Sequence, residues 1–222
     1  MRRHDLVQVC EGSAVRFRCG TFDAAMSARV AAWIAAGRPM VVARQPADGA
    51  NVLLGLTLPA AEGRRRIGCL VDHADLMHVR APPTVVECLH RLADDVAAPL
   101  ATLASRLADA GVRVGVYGSL AWEALSGEIY RHLESDVDLI CDVSSCAEAE
   151  ISIRLLAAAA ARLPCRLDGE VRFPNGWAVA WRELAVAWGN ADARLLVKGN
   201  ADVGLSTLSA MLEQFERDAL HA

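Results

Sequence analysis

Several things are missing from this sequence, and each absence narrows what the chain can be. No apolar run approaches the roughly 20 residues a membrane-spanning helix needs. One of the longest, Leu155 to Ala161, is closed on both sides by Arg154 and Arg162. No apolar segment follows the basic start Met-Arg-Arg-His-Asp, so it does not read as a secretory signal. A soluble cytoplasmic protein with no membrane partner is the expectation. No serine, histidine and acid fall into a grouping that suggests a hydrolase. The seven cysteines are odd in number and none forms a C-x-x-C pair. Cys10, Cys19, Cys69, Cys88, Cys141, Cys146 and Cys165 sit mostly in apolar context, which suits buried free thiols in a reducing compartment. Asp72, His73, Asp75 and His78 match no common zinc spacing. Lysine is almost absent: Lys198 stands alone among 22 arginines.

The net charge of −4 argues against non-specific nucleic-acid binding. Its distribution says more. Residues 1–80 carry 11 Arg against 7 Asp and Glu, a net of +4, whereas residues 81–222 carry a net of −8. A basic front half suits a polyanionic substrate or an acidic protein partner. At 222 residues the chain has room for one large domain or two small ones.

Two units are expected. Residues 1–80 read as a small β-rich lobe with strands at 6–10, 39–43, 51–58 and 66–73, and one helix from Phe22 to Ala36. Ala81-Pro82-Pro83-Thr84 marks the boundary. Residues 81–222 read as helices at 85–92 and 99–110, strand 112–117, helix 120–126, strand 137–143 and an Ala-rich helix from Ala147 to Leu163. After these come a hairpin over 166–181, strand 194–198 and a last helix from Leu205 to Leu220. The fold class is α+β, with a mixed, mainly antiparallel sheet in the second unit.

The densest chemistry lies between Val116 and Asp142. An apolar run ends in Gly118-Ser119, a helical stretch follows, and a second apolar run opens with Asp136-Val137-Asp138. Alternation puts Asp136 and Asp138 on one face of a strand. Adjacent carboxylates repel unless a cation lies between them, and divalent metal is the usual solution, with two Mg²⁺ ions the expectation here. Gly-Ser at a strand-to-helix turn offers amides, a hydroxyl and a helix N-terminus to a phosphate. Together these describe a metal-dependent nucleotidyltransferase. Such chemistry needs a third carboxylate. Asp168 is the first choice, Glu170 the second, and Glu183 a more distant option. Lys198, ending an apolar strand, is a phosphate candidate. Arg65 and Arg66 are candidates for phosphate or a carrier protein. Trp122, Trp177, Trp181 and Tyr130 could stack on a base, although such residues are more often core.

These residues resemble a known family. Arg3-His-Asp-Leu-Val7, Pro39-Met-Val-Val-Ala-Arg44 and Arg65-Arg-Ile67 are similar to its N-terminal region. Val116 to Tyr130, Ser135-Asp-Val-Asp-Leu139, Leu167-Asp-Gly-Glu170 and Ala178 to Glu183 are similar to the rest. The family is that of the malonate decarboxylase holo-acyl-carrier-protein synthases, or phosphoribosyl-dephospho-CoA transferases. The resemblance implies a polymerase-β-like nucleotidyltransferase fold. It implies transfer from 2′-(5″-triphosphoribosyl)-3′-dephospho-CoA to a serine of the decarboxylase's apo acyl carrier subunit, with release of pyrophosphate. It places metals on Asp136, Asp138 and Asp168, and phosphates on Gly118 and Ser119. The insert 127–134 belongs to the resemblance and reads as substrate-specific. An antibiotic or protein adenylyltransferase is the enzyme rival. A non-catalytic nucleotide-binding module is the other, disfavoured because every expected acid is present.

Overall fold

Two six-stranded sheets frame the molecule, the first from the front of the chain and the second from the back. The computed structural model describes residues 1–18, 23–46 and 49–213. The first sheet holds β1 (Leu6–Val9), β2 (Arg16–Phe17), β3 (Met40–Val42), β4 (Val52–Thr57), β5 (Arg66–Val71) and β6 (Leu76–Arg80). Their order is β2-β5-β4-β3-β1-β6, antiparallel throughout. Alternation builds its core face. Val52, Leu54 and Leu56 are buried opposite Val71, Cys69 and Ile67. Helix α1 (Ala24–Ala35) lays Met26, Val30, Trp33 and Ile34 on that core. Asp23 caps it, its carboxylate accepting from the Met26 amide at 2.9 Å. The expected helix began at Phe22, which lies outside the described residues. Strand β6 was not anticipated. Nearly all its side chains are exposed, so it has no buried alternation to announce it.

The second sheet runs β12-β11-β10-β9-β8-β7. Its strands are β7 (Arg113–Tyr117), β8 (Val137–Asp142), β9 (Leu167–Arg172), β10 (Ala178–Ala180), β11 (Arg194–Lys198) and β12 (Val203–Thr207). All neighbours are antiparallel except β8 and β9. Helix α5 (Cys146–Ala160) makes the crossover that a parallel pair requires. Helices α2 (Val85–Cys88), α3 (Asp94–Asp109), α4 (Gly118–Ser126) and α6 (Trp181–Ala187) complete the unit. The architecture is thus mixed α+β with two mostly antiparallel sheets. No described helix is long and apolar enough to cross a membrane.

Three expectations fail locally. The first helix of the second half is one α turn and one 3₁₀ turn, started by a Thr84–Glu87 capping box. Helix α3 starts at Asp94, not at Pro99. Asp94 and Asp95 in its first turn complement the helix dipole, and burial of Leu100, Leu103 and Leu107 holds the helix despite the internal proline. Residues 203–207 are strand, not helix. Five consecutive register pairs with β11 outweigh local preference, and helical turns begin only at Leu208. The end of that predicted helix, 214–220, lies outside the described residues.

The two sheets are tied by the chain's first residues. Arg172 of β9, 1% exposed, holds Asp142 through Nε at 2.6 Å and Nη2 at 3.0 Å. Its Nη1 donates to the Arg3 carbonyl at 2.5 Å. The Arg3 amide donates to Asn200 Oδ1 at 3.0 Å, and the Gln45 amide to the Asn200 carbonyl at 2.7 Å. A second tie is apolar: Trp122 and Tyr130, from the back half, bury themselves in the first core. Trp122 meets Trp33 edge-on at 5.6 Å.

Candidate functional site

The parallel pairing of β8 and β9 sets Asp138 directly beside Asp168, on the sheet face turned away from the helices. Asp136 precedes β8 on the same side. Three carboxylates thus gather at one end of two adjacent strands. Burial, then the charges of Asp168 and Asp136, push the Asp138 carboxyl up from 3.8 to about 6. Arg166 stands between the outer two, 2.9 Å from Asp168 Oδ2 and 3.7 Å from Asp136 Oδ2.

Gly118 explains the turn above them. Its φ is +71°, and a Cβ there would lie 2.2 Å from Asp138 Oδ2. Only glycine lets the start of α4 sit on that carboxylate. Gly169 is as constrained, with φ +138° and Cβ space filled by the Leu139 carbonyl oxygen at 2.0 Å. It lets β9 close on β8 between Asp168 and Glu170.

Glu170 has a different environment from the other acids. It pairs with Ile140, two residues further along the ladder from Asp138. Lys198 Nζ donates to its Oε1 at 2.8 Å, and Arg3 Nη2 to its Oε2 at 2.7 Å. Burial alone would raise this carboxyl. The contact with His4, the charge of Arg3 and the bond from Lys198 instead draw it down to about 2. His4 lies at φ +72° and stacks on Tyr117 with centroids 4.1 Å apart. Its own burial lowers the ring's pKa below the ordinary histidine value.

Of these groups Arg3, His4, Tyr117, Gly118, Asp138, Glu170 and Lys198 line a cleft of about 710 Å³ between the sheets, whereas Asp136, Asp168 and Arg166 are not part of its lining. Gly118, Ser119, Asp138, Glu170 and Lys198 form one wall, and the exposed face of β3, β4 and β5 the other. The structure separates the paired arginines of the sequence. Arg66 lines the cleft and its charge acts on Asp138, while Arg65 is not part of the lining. Sequence reasoning missed Arg3, His4, Arg18, Arg44 and Arg64, all of which line it. The run Arg64-Arg65-Arg66 drew attention to the right turn. Arg3 and Arg44 come from strand ends with no local pattern of their own. Trp181 is buried core and Trp177 packs against it, whereas Trp122 and Tyr130 are buried in the first core and also line the cleft. Glu183 accepts from the Leu196 amide at 2.8 Å and takes no part in the cleft.

Among the described residues no three acidic, histidine or cysteine side chains converge closely enough to hold an ion as they stand. The donor chemistry nevertheless suits a hard divalent cation. The available donors are carboxylate oxygens, the Asp138 carboxyl is raised by burial and by its acidic neighbours, and the cation between Asp136 and Asp168 is a 60% exposed arginine.

Two family models match end to end. "Phosphoribosyl-dephospho-CoA transferase MdcG N-terminal domain" covers residues 2–82, and the corresponding C-terminal domain covers 82–209. The chain belongs to the phosphoribosyl-dephospho-CoA transferase family. It is therefore an enzyme of the transferase class. A phosphoribosyl-dephospho-CoA transferase from Xanthomonas euvesicatoria pv. vesicatoria is 35% identical over 82% of this chain and 85% of its own length. Those of Bradyrhizobium diazoefficiens and Pseudomonas aeruginosa are 31% and 32% identical, over 82% and 77% of this chain and 81% and 79% of their own. No solved structure gives a significant match.

Proposed function

We propose that this transferase moves the 2′-(5″-phosphoribosyl)-3′-dephospho-CoA group from its triphosphate precursor to a serine of an apo acyl carrier subunit, that of malonate decarboxylase, releasing pyrophosphate. The observation that carries this reading is the Asp138–Asp168 pair beneath Gly118-Ser119, at the mouth of a cationic cleft, in a chain of this family. The polymerase-β-like nucleotidyltransferase fold is part of the proposal. Its support is the mixed sheet with the G-S turn on β7–α4 and the acids on β8 and β9.

In this reading the serine oxygen attacks the phosphorus that links the ribose to the two outer phosphates. The new P–O bond forms as the bond to pyrophosphate breaks. The α4 N-terminus, the Ser119 hydroxyl and the Lys198 ammonium hold the phosphates. Arg66 offsets charge on the same group. Asp136, Asp138 and Asp168 would hold magnesium, which when bound screens the phosphate oxygens and makes the attacking hydroxyl more acidic. Asp168, in register with Asp138, would take the hydroxyl proton. Glu170 is occupied by Lys198 and Arg3, so it serves as the counter-ion that aims both cations and not as the third metal ligand.

The test is incubation with apo carrier subunit, the triphosphoribosyl precursor and Mg²⁺, read by intact mass. The expected result is a carrier heavier by one phosphoribosyl-dephospho-CoA group, with pyrophosphate released, and none of either with Asp138→Asn. Carrier modified by ATP alone, with the precursor inert, would assign the protein to the adenylylating enzymes instead.

A further inference from the structure

The exposed face of the first sheet carries arginines the reaction above does not use. Five arginines in residues 1–80 are ion-paired: Arg2, Arg3, Arg29, Arg38 and Arg80. Arg18 and Arg44 have no ion-pair or side-chain hydrogen-bond partner among the described residues, and both line the cleft. Beside Arg18 the wall carries two glycines. Gly55 of β4 is in register with Gly68 of β5, and both face the cleft. Arg18 flanks this pair on one side, its amide bonded to the Gly68 carbonyl at 2.9 Å. Val41 of β3, in register with Gly55, flanks it on the other, and Arg44 lines the same cleft three residues further along, beyond the end of β3. A Cβ at Gly68 would lie 3.3 Å from Arg18 Cβ, so the strip is kept low where the guanidinium stem crosses it. Val41 and Leu53 supply apolar surface beside it.

We infer that this glycine strip, with Arg18 beside it and Arg44 further along the same wall, is a second anion subsite, which takes the diphosphate of the dephospho-CoA portion of the substrate. The inference rests on the proposed transfer reaction only for the identity of that portion. The chemistry is general. Such a substrate has two polyanionic groups, a reacting triphosphate and a diphosphate between adenosine and the pantetheine arm. One cleft with cations on both walls matches two anions in one molecule. Guanidinium groups bind phosphate oxygens bidentately, and the glycine backbone lets the diphosphate approach closely beside Arg18. The apolar neighbours suit what the diphosphate joins.

The experiment is calorimetry with dephospho-CoA, which has the diphosphate but no triphosphate, in EDTA and without acceptor protein. Inorganic tripolyphosphate is the probe for the other wall. Arg18→Gln and Arg44→Gln should each weaken dephospho-CoA binding roughly tenfold, as expected for a lost charge-assisted bond, and leave tripolyphosphate binding within about twofold. Arg16→Gln, an exposed arginine two residues away outside the cleft, should change neither and so controls for net charge. Asp138→Asn should still bind dephospho-CoA. Undiminished binding by both cleft variants would overturn the inference. So would parallel loss of both ligands, which describes one undivided anion cleft, or no binding by the wild type. Intact binding in a protein that transfers nothing would remove the proposed reaction and leave the subsite standing.

Discussion

Asp138→Asn should abolish transfer and stabilise the metal-free protein. The carboxyl is pushed from 3.8 to about 6 by burial and by Asp168 and Asp136. The folded state therefore favours the protonated acid. That preference contributes stability fully below about pH 4 and loses it as pH rises through 6. Above that, the ionised carboxylate costs the fold on the order of 3 kcal/mol, from about 1.4 kcal/mol per pKa unit. Asparagine has the same shape and cannot ionise. At pH 7.5 in EDTA the variant should melt about 6–12 °C above wild type, using about 2–4 °C per kcal/mol for a chain of this size. At pH 4 the two should nearly coincide, because wild type is then largely protonated. Adding Mg²⁺ should raise the wild-type melting temperature at pH 7.5 and leave the variant unmoved. Scanning calorimetry at the two pH values, with and without metal, makes the measurement. A variant that melts at or below wild type at pH 7.5 in EDTA would refute the idea of a strained carboxylate cluster awaiting a cation.

Gly118→Ala should lose nearly all turnover, since its Cβ would sit 2.2 Å from Asp138 Oδ2 at a φ of +71°; steady-state rates close to wild type would mean that Asp138 can move without consequence. Asp168→Asn should reduce kcat by orders of magnitude, whereas Glu170→Gln should mainly raise KM for the nucleotide, because it frees Arg3 and Lys198 instead of removing a reacting group; the opposite ranking would return the third-carboxylate role to Glu170. Arg172→Met should cost about 3–5 kcal/mol in urea unfolding, the usual effect of leaving a buried partner such as Asp142 uncompensated, and a loss under about 1 kcal/mol would show that the first residues are held by other contacts.

The legible parts of this chain are those where one strand or helix carries its own signal. Asp136-Val137-Asp138 runs into a buried strand, and the strand duly sets the acids on one face. The β-prone segments expected at 51–58 and 66–73 likewise match the paired strands β4 and β5. What could not be read depends on partners distant in sequence. Strand β12 exists because β11 needs an edge neighbour, and β6 because β1 does. Glu170 and Asp168 share a face and look equivalent in sequence. Only Arg3, 167 residues away, and Lys198 tell them apart. The cationic wall on the first sheet was equally hidden, because its arginines come from separate turns of the chain.

The anchoring of residues 2–5 also bears on how the molecule is made. The contacts from Arg2 and Arg3 to Asp142, Glu170 and Asn200 span 140, 167 and 197 residues of chain. Contacts this distant form late, because much chain must be ordered before they can close. During synthesis the first sheet can pair its own strands as soon as residue 80 has emerged. Its leading residues have nothing to hold until β8, β9 and the turn at Asn200 follow. Lys198 and Asn200 lie near the far end of the catalytic sheet. The cleft is therefore among the last parts of the protein to come into being, since a ribosome-bound chain lacking its final strands has no Lys198 or Asn200 to close it.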